Sequence, residues 1–274
     1  MHIDTEQSPW YDRIWAALIF FTRLPFWRIH EPAKESYKTV VEFWPLTGWL
    51  TGGLMAATLY IGSMYLPYII SVLLAIVVRL LITGALHEDG LADFFDGFGG
   101  GTDRGRILAI MKDSHIGTFG VLGLILYILL LASALFSMPP VLASLAIIAA
   151  DPFAKMLSAG LITLPYARSE EEAKAKVVYR SLGWKAILGL ALQGLLPVAV
   201  ISIFFFPIIN YQLSIINLLL PCLVLFFLYY YIRRRLQGYT GDCCGAVCLI
   251  VELSAYLAIC AQQSIINYQF SIIN

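Results

Sequence analysis

Long apolar runs, scarce charge and a one-sided distribution of basic residues make this chain an all-α polytopic membrane protein. The expectation is about seven transmembrane helices preceded by an N-terminal interfacial helix, with the N-terminus cytoplasmic. Of 274 residues, 59% are hydrophobic and 13% charged, and the mean hydropathy is +0.78; a soluble domain carries about 25% charged residues. The 18 basic residues equal the 18 acidic ones, so the balance points to no nucleic acid partner, and the placement of the charges carries the information.

In chain order, the polar and acidic start MHIDTEQSPWYDR has no basic region ahead of an apolar core, so no cleavable signal is expected. Residues 14–21 are too few to cross a bilayer. With Trp10, Trp15, Phe26 and Trp27 around Arg13, Arg23 and Arg28, they read as a helix lying in the interface. Seven runs then approach the roughly 20 apolar residues of a crossing. They cover 44–66, 68–86, 118–137, 141–164, 186–207, 215–232 and 245–261.

With the N-terminus inside, the cytoplasmic segments hold 16 of the 18 basic residues, among them Arg104, Arg106 and Lys112, and Arg233, Arg234 and Arg235. The outside turns at Pro67, Ser137 and Asn210 hold none, as the positive-inside rule requires. The two left over, Arg79 and Lys155, fall inside spans, where a charge costs several kcal/mol unless it is paired or faces a wet cavity. Lys155 has Asp151 one turn before it as a partner; alternatively, Arg79 and Lys155 line a cavity open to the cytoplasm and bind an anion.

The whole chain, 1–274, reads as one integral membrane domain whose chemistry is concentrated in a cytoplasmic acidic and glycine-rich segment at 87–117. Continued as a helix from Tyr68, that segment places Asp89, Asp93 and Asp96 at i, i+4 and i+7 on one face. Stacked like charges repel, and a hard divalent cation such as Mg2+ is the natural counter-charge. Gly90, Ala92 and Gly97 allow a ligand or a neighbouring helix to come close. Gly99, Gly100 and Gly101 end the helix, and Arg104, Arg106 and Lys112 return cations toward it. Carboxylates for a metal beside fixed cations is the arrangement of phosphoryl transfer.

The runs DGLADFFDGFGG and IMKDSHIGTFG resemble cobalamin synthase, the adenosylcobinamide-GDP ribazoletransferase family. So do FFTRLP at 20–25, LPYAR at 164–168, and GYTGDCCGA at 238–246 with Glu252 following; the likeness runs in order from about residue 18 to about residue 260. A looser likeness to the acidic motif of CDP-alcohol phosphotransferases breaks down, since no second pair of acids follows at the right spacing. The resemblance implies a Mg2+-dependent transferase of the bacterial inner membrane. Its reaction joins adenosylcobinamide-GDP to α-ribazole, or to its 5′-phosphate, and releases GMP. It further implies Asp89, Asp93 and Asp96 as metal ligands. A carboxylate of that set or Asp113 would handle the hydroxyl, and Lys112 and Arg104 would offset charge. Arg106, Arg79, Lys155 and Gly97 complete the candidate substrate contacts. A homo-oligomer is left open.

Asp242 reads either as the N-cap of the last span or as part of the site, since Gly238, Gly241 and Gly245 permit close approach. Glu252, deeper in that span, calls for a partner such as Arg79 or Lys155. His87 and His115 flank the motif as ordinary hydrogen-bonding residues. The five cysteines read as small packing residues in a reducing compartment. A helix with a solvated charged face is expected at 170–178, and IINYQLSIIN at 208–217 returns with one change at 265–274 as a peripheral near-duplicate. Two other functions are weighed: a CDP-alcohol phosphotransferase, and a non-enzymatic cation carrier.

Overall fold

The computed structural model describes residues 9–168, 178–204 and 215–273. Of the expected helix at 170–178 only residue 178 lies among them, and of the near-duplicate 208–217 only 215–217. The described residues are helical, without a strand. Helix α1 (Trp10–Phe21) is joined through 3₁₀ segments at Phe26–Arg28 and Lys34–Phe43 to α2 (Trp44–Tyr65). Then come α3 (Tyr68–Thr83), α4 (Leu86–Gly100), α5 (Arg104–Lys112), α6 (Thr118–Phe136), α7 (Pro140–Ser158), α8 (Trp184–Phe204), α9 (Ile215–Leu236) and α10 (Gly241–Ile273). The second copy of the near-duplicate runs on from α10 as helix to Ile273.

Residue polarity is arranged for lipid. Helices α7 and α10 form the buried centre, whereas α6, α8 and α9 turn leucine, isoleucine and phenylalanine outward: Leu126 is 58% exposed, Leu192 67% and Phe227 66%. So much apolar surface on the outside and ionic pairs inside invert the pattern of a soluble domain. Among the described residues, five helices are long and apolar enough to cross a membrane, and a sixth crossing is available if α3 and α4 are taken together. Seven had been expected. The difference lies in α2, whose tryptophan, threonine and glycine dilute its apolarity, and in α3, which at 16 residues is about 24 Å long at the helical rise.

The expectation that α3 runs on through Asp96 is overturned: α3 and α4 meet at 91°. Gly84 (φ 64°) and Ala85 (φ 54°) both adopt the left-handed conformation that ends a helix. Non-glycine residues rarely tolerate it, so tertiary contacts hold the corner. The Arg23 amide donates to the Ile82 carbonyl at 2.6 Å, and the Arg23 side chain fills the space a Cβ on Gly84 would need. Thus α4 lies across the pole of the bundle, against α10 and α6.

Candidate active site

Helix α4 crosses the start of α10 with almost no side-chain spacer. A Cβ on Gly90 would stand 3.0 Å from the Asp242 Cα and carbonyl oxygen, and one on Gly245 would stand 3.2 Å from the Cα of His87. Glycine at both points is what lets the two backbones approach. This crossing delivers Asp242 to Asp89 and Asp93, and the three carboxylates each offer an oxygen within 4.8 Å of the others. Thr240 takes the capping role, its Oγ1 accepting from the Cys243 amide at 3.3 Å, and Asp242 stands with the two acids of α4. Gly90→Val is expected to lower turnover about ten- to a hundredfold by displacing Asp242 relative to Asp93, with membrane insertion retained. Steady-state kinetics on purified protein checks this.

Asp96, expected beside Asp89 and Asp93, goes elsewhere. Residues seven apart share a helix face but stand about 10.5 Å apart along the axis, too far to share one ion. Its carboxylate instead accepts from the Gly117 amide (2.7 Å) and the Gly120 amide (2.8 Å), at the N-terminal end of α6. There the unsatisfied amides and the helix dipole favour a negative charge.

Beside the acid cluster is a cavity that encloses about 110 Å3 and reaches about 800 Å3 with the open solvent of its mouth. Asp89, Asp242 and Arg168 line it together with an aromatic wall of Phe20, Phe21, Trp44, His87, Tyr166 and Tyr179. Segments 164–168 and 238–242 pair side by side here: the Ala167 amide donates to the Tyr239 carbonyl (2.8 Å) and the Tyr239 amide to the Pro165 carbonyl (2.9 Å). The same pairing sets Arg168 and Asp242 into one lining. Burial pushes the phenols of Tyr166 and Tyr179 above their ordinary value, so both rings stay neutral.

The other expected site residues are spread around this centre. Arg104 donates to the carbonyls of Leu236 and Ala167, both at 2.9 Å, and so clamps the end of α9. Arg106 and Asp113 line a second depression with Asp96 and His115 that shares no residue with the first. Asp113 accepts from the ring and amide of His115, which lower its pKa and make it a weak base. Lys112 is exposed at the last turn of α5. Gly97 is buried where a side chain would collide with Met111, so its smallness serves the packing of α4 on α5. Arg79 and Lys155, expected as substrate contacts, are 2% and 1% exposed and lie outside the cavity lining. Arg79 grips Glu252 through two 2.7 Å hydrogen bonds, and Lys155 pairs with Asp151, which also accepts from Thr51 at 2.8 Å. Pairing is the cheapest state for a charge at that depth.

Sequence reasoning missed Phe20, Trp44, Tyr179 and the role of Arg168. The pieces FFTRLP and LPYAR contain two of them, but apolar rings near an interface read first as anchors. Carboxylate oxygen alone makes up the three-acid cluster, with no sulfur or imidazole in it. Such a donor set fits a hard divalent cation, whose charge also relieves the repulsion among the acids.

Comparison with known proteins gives the family. The family profile described as Cobalamin-5-phosphate synthase matches residues 13–260. An adenosylcobinamide-GDP ribazoletransferase of Shewanella baltica is 35% identical over 262 residues, 93% of this chain and 97% of that one. The same-named protein of another Shewanella species is 35% identical over 269 residues, covering 96% and 100% of the two chains. No solved structure matches. Nearly the whole chain, acid cluster and aromatic cavity included, therefore belongs to the cobalamin-5-phosphate synthase family.

Proposed function

We propose that this protein carries out the reaction for which its relatives are named, joining adenosylcobinamide-GDP to α-ribazole, or to its 5′-phosphate, in the assembly of cobalamin. The observation that carries the reading is the convergence of Asp89, Asp93 and Asp242 beside an aromatic-lined cavity, in a chain of this family. In the reaction, the ribose 3′ oxygen forms a bond to the phosphorus nearer the cobinamide. The bond from that phosphorus to the bridging oxygen breaks, and the oxygen leaves with the electron pair as GMP. The hydroxyl proton passes to a carboxylate of the cluster or to solvent.

Asp89, Asp93 and Asp242 are the residues that would hold Mg2+, which would neutralise charge on the donor's diphosphate and on the departing GMP phosphate. The chain's own residues do the positioning. The crossing of α4 and α10 fixes the acids, the cavity walls exclude water, and the Arg168 guanidinium in the lining attracts phosphate oxygen. A cation carrier would instead keep exchangeable acids at mid-span, whereas the buried Asp151 and Glu252 are held by Lys155 and Arg79. Purified protein given adenosylcobinamide-GDP, α-ribazole and Mg2+ should release GMP only when all three are present. CMP release from a CDP-alcohol would contradict the reading.

The same reading places the site on the cytoplasmic face of a bacterial inner membrane, with the N-terminus inside and seven crossings. It is supported by the basic residues gathered at the pole that holds α4 and α5. Cysteines introduced at Thr102 and Ser137, both exposed, should be labelled from opposite sides of the membrane. Labelling from the same side would refute the topology.

A further inference from the structure

We propose that the aromatic cavity seats the azole base of the acceptor, so that α-ribazole enters base first and presents its ribose to the acid cluster. The inference rests on the transferase reading above. Phe21, Trp44 and His87 form a triangle of near-parallel rings, with interplanar angles of 13°, 18° and 8° and every centroid 5.2 to 6.2 Å from the other two. Tyr179 closes the lining with Phe20, against which it packs edge-on at 6.2 Å. Flat walls of this kind bind flat rings by stacking.

The cavity's polar groups favour the acceptor over the donor's guanine. Guanine needs donors and acceptors along its whole edge, and the carboxylates of this lining, Asp89 and Asp242, belong to the acid cluster. A fused azole asks for little: it is largely hydrocarbon, with one acceptor nitrogen. Two buried nitrogens on lining side chains, Trp44 Nε1 and His87 Nε2, have no hydrogen-bond partner among the described residues, and a buried polar atom without a partner calls for a ligand or an ordered water. An acceptor nitrogen is what an indole N–H lacks. The enclosed part of the cavity, about 110 Å3, is of the order of one small ring system, so the base is the part that enters and the ribose and the corrin stay at or beyond the mouth. Arg168, in the same lining, gives a 5′-phosphate on the acceptor a guanidinium to meet.

The test uses full-length protein in nanodiscs, with both substrates varied. Tyr179→Leu removes a wall, and Trp44→Phe keeps the ring while deleting the N–H. Each should raise KM for α-ribazole about tenfold or more, with KM for adenosylcobinamide-GDP within about twofold of the wild type. A rise for the donor instead, or no change for either substrate, overturns the proposal. Binding is followed separately through quenching of Trp44 fluorescence by α-ribazole, read as the signal lost in Trp44→Phe and needing no turnover. If wild-type protein releases no GMP, the transferase reading fails. The quench still decides the subsite: present, it upholds an azole seat; absent, it removes it.

Discussion

Asp242→Asn is expected to reduce GMP release about a hundredfold or more, with insertion and thermal unfolding close to wild type. The substitution preserves shape and removes one of three charges that converge within 4.8 Å. Neutralisation of the donor's diphosphate and the departing phosphate by a bound cation is worth several kcal/mol, and each 1.36 kcal/mol is tenfold in rate. Stability should change little, because Thr240 supplies the cap of α10. Asp93→Asn should behave alike. Asp96→Asn should do the reverse: it weakens the carboxylate seat of α6, at a cost of about 1–2 kcal/mol in stability, and spares most of the turnover. Near-normal turnover of Asp242→Asn in saturating Mg2+ would show that the crossing of α4 and α10 serves packing alone.

The second large effect lies in the bundle. Arg79→Met should destabilise the protein by about 3–5 kcal/mol, because it leaves Glu252 buried without its cation. Glu252 is 1% exposed and keeps one neutral donor, Tyr256 Oη at 2.6 Å. The double variant Arg79→Met/Glu252→Met should recover most of the loss, since replacing both members of a buried pair with apolar side chains is close to neutral. Thermal unfolding in detergent, with the two single variants completing the cycle, measures this. An additive double variant would show that the pair does not couple.

Apolar run length carried the all-helical membrane architecture, because a run of bilayer length is a local signal. The corner at Gly84 and Ala85 was not legible: a left-handed alanine persists only in a turn that distant groups brace, here Arg23 against Ile82 and Gly84. The candidate site divided along the same line. Asp89 and Asp93, one turn apart, were found by period. Period also drew in Asp96, since sharing a helix face says nothing about separation along the axis. Asp242 stood about 150 residues away in sequence, and its only local hint was the glycines around it. The aromatic wall assembles from α1, α2, α4 and two connecting segments, and no window of sequence contains it.

The central claim is that Asp89, Asp93 and Asp242, and not Asp96, form the cation site. Titration of metal-stripped protein with Mn2+, followed by electron paramagnetic resonance of the free ion, tests it without any turnover. Wild type and Asp96→Asn should bind the ion with similar affinity, while Asp93→Asn and Asp242→Asn should lose about tenfold or more. Unchanged binding in Asp242→Asn together with loss in Asp96→Asn would contradict the account.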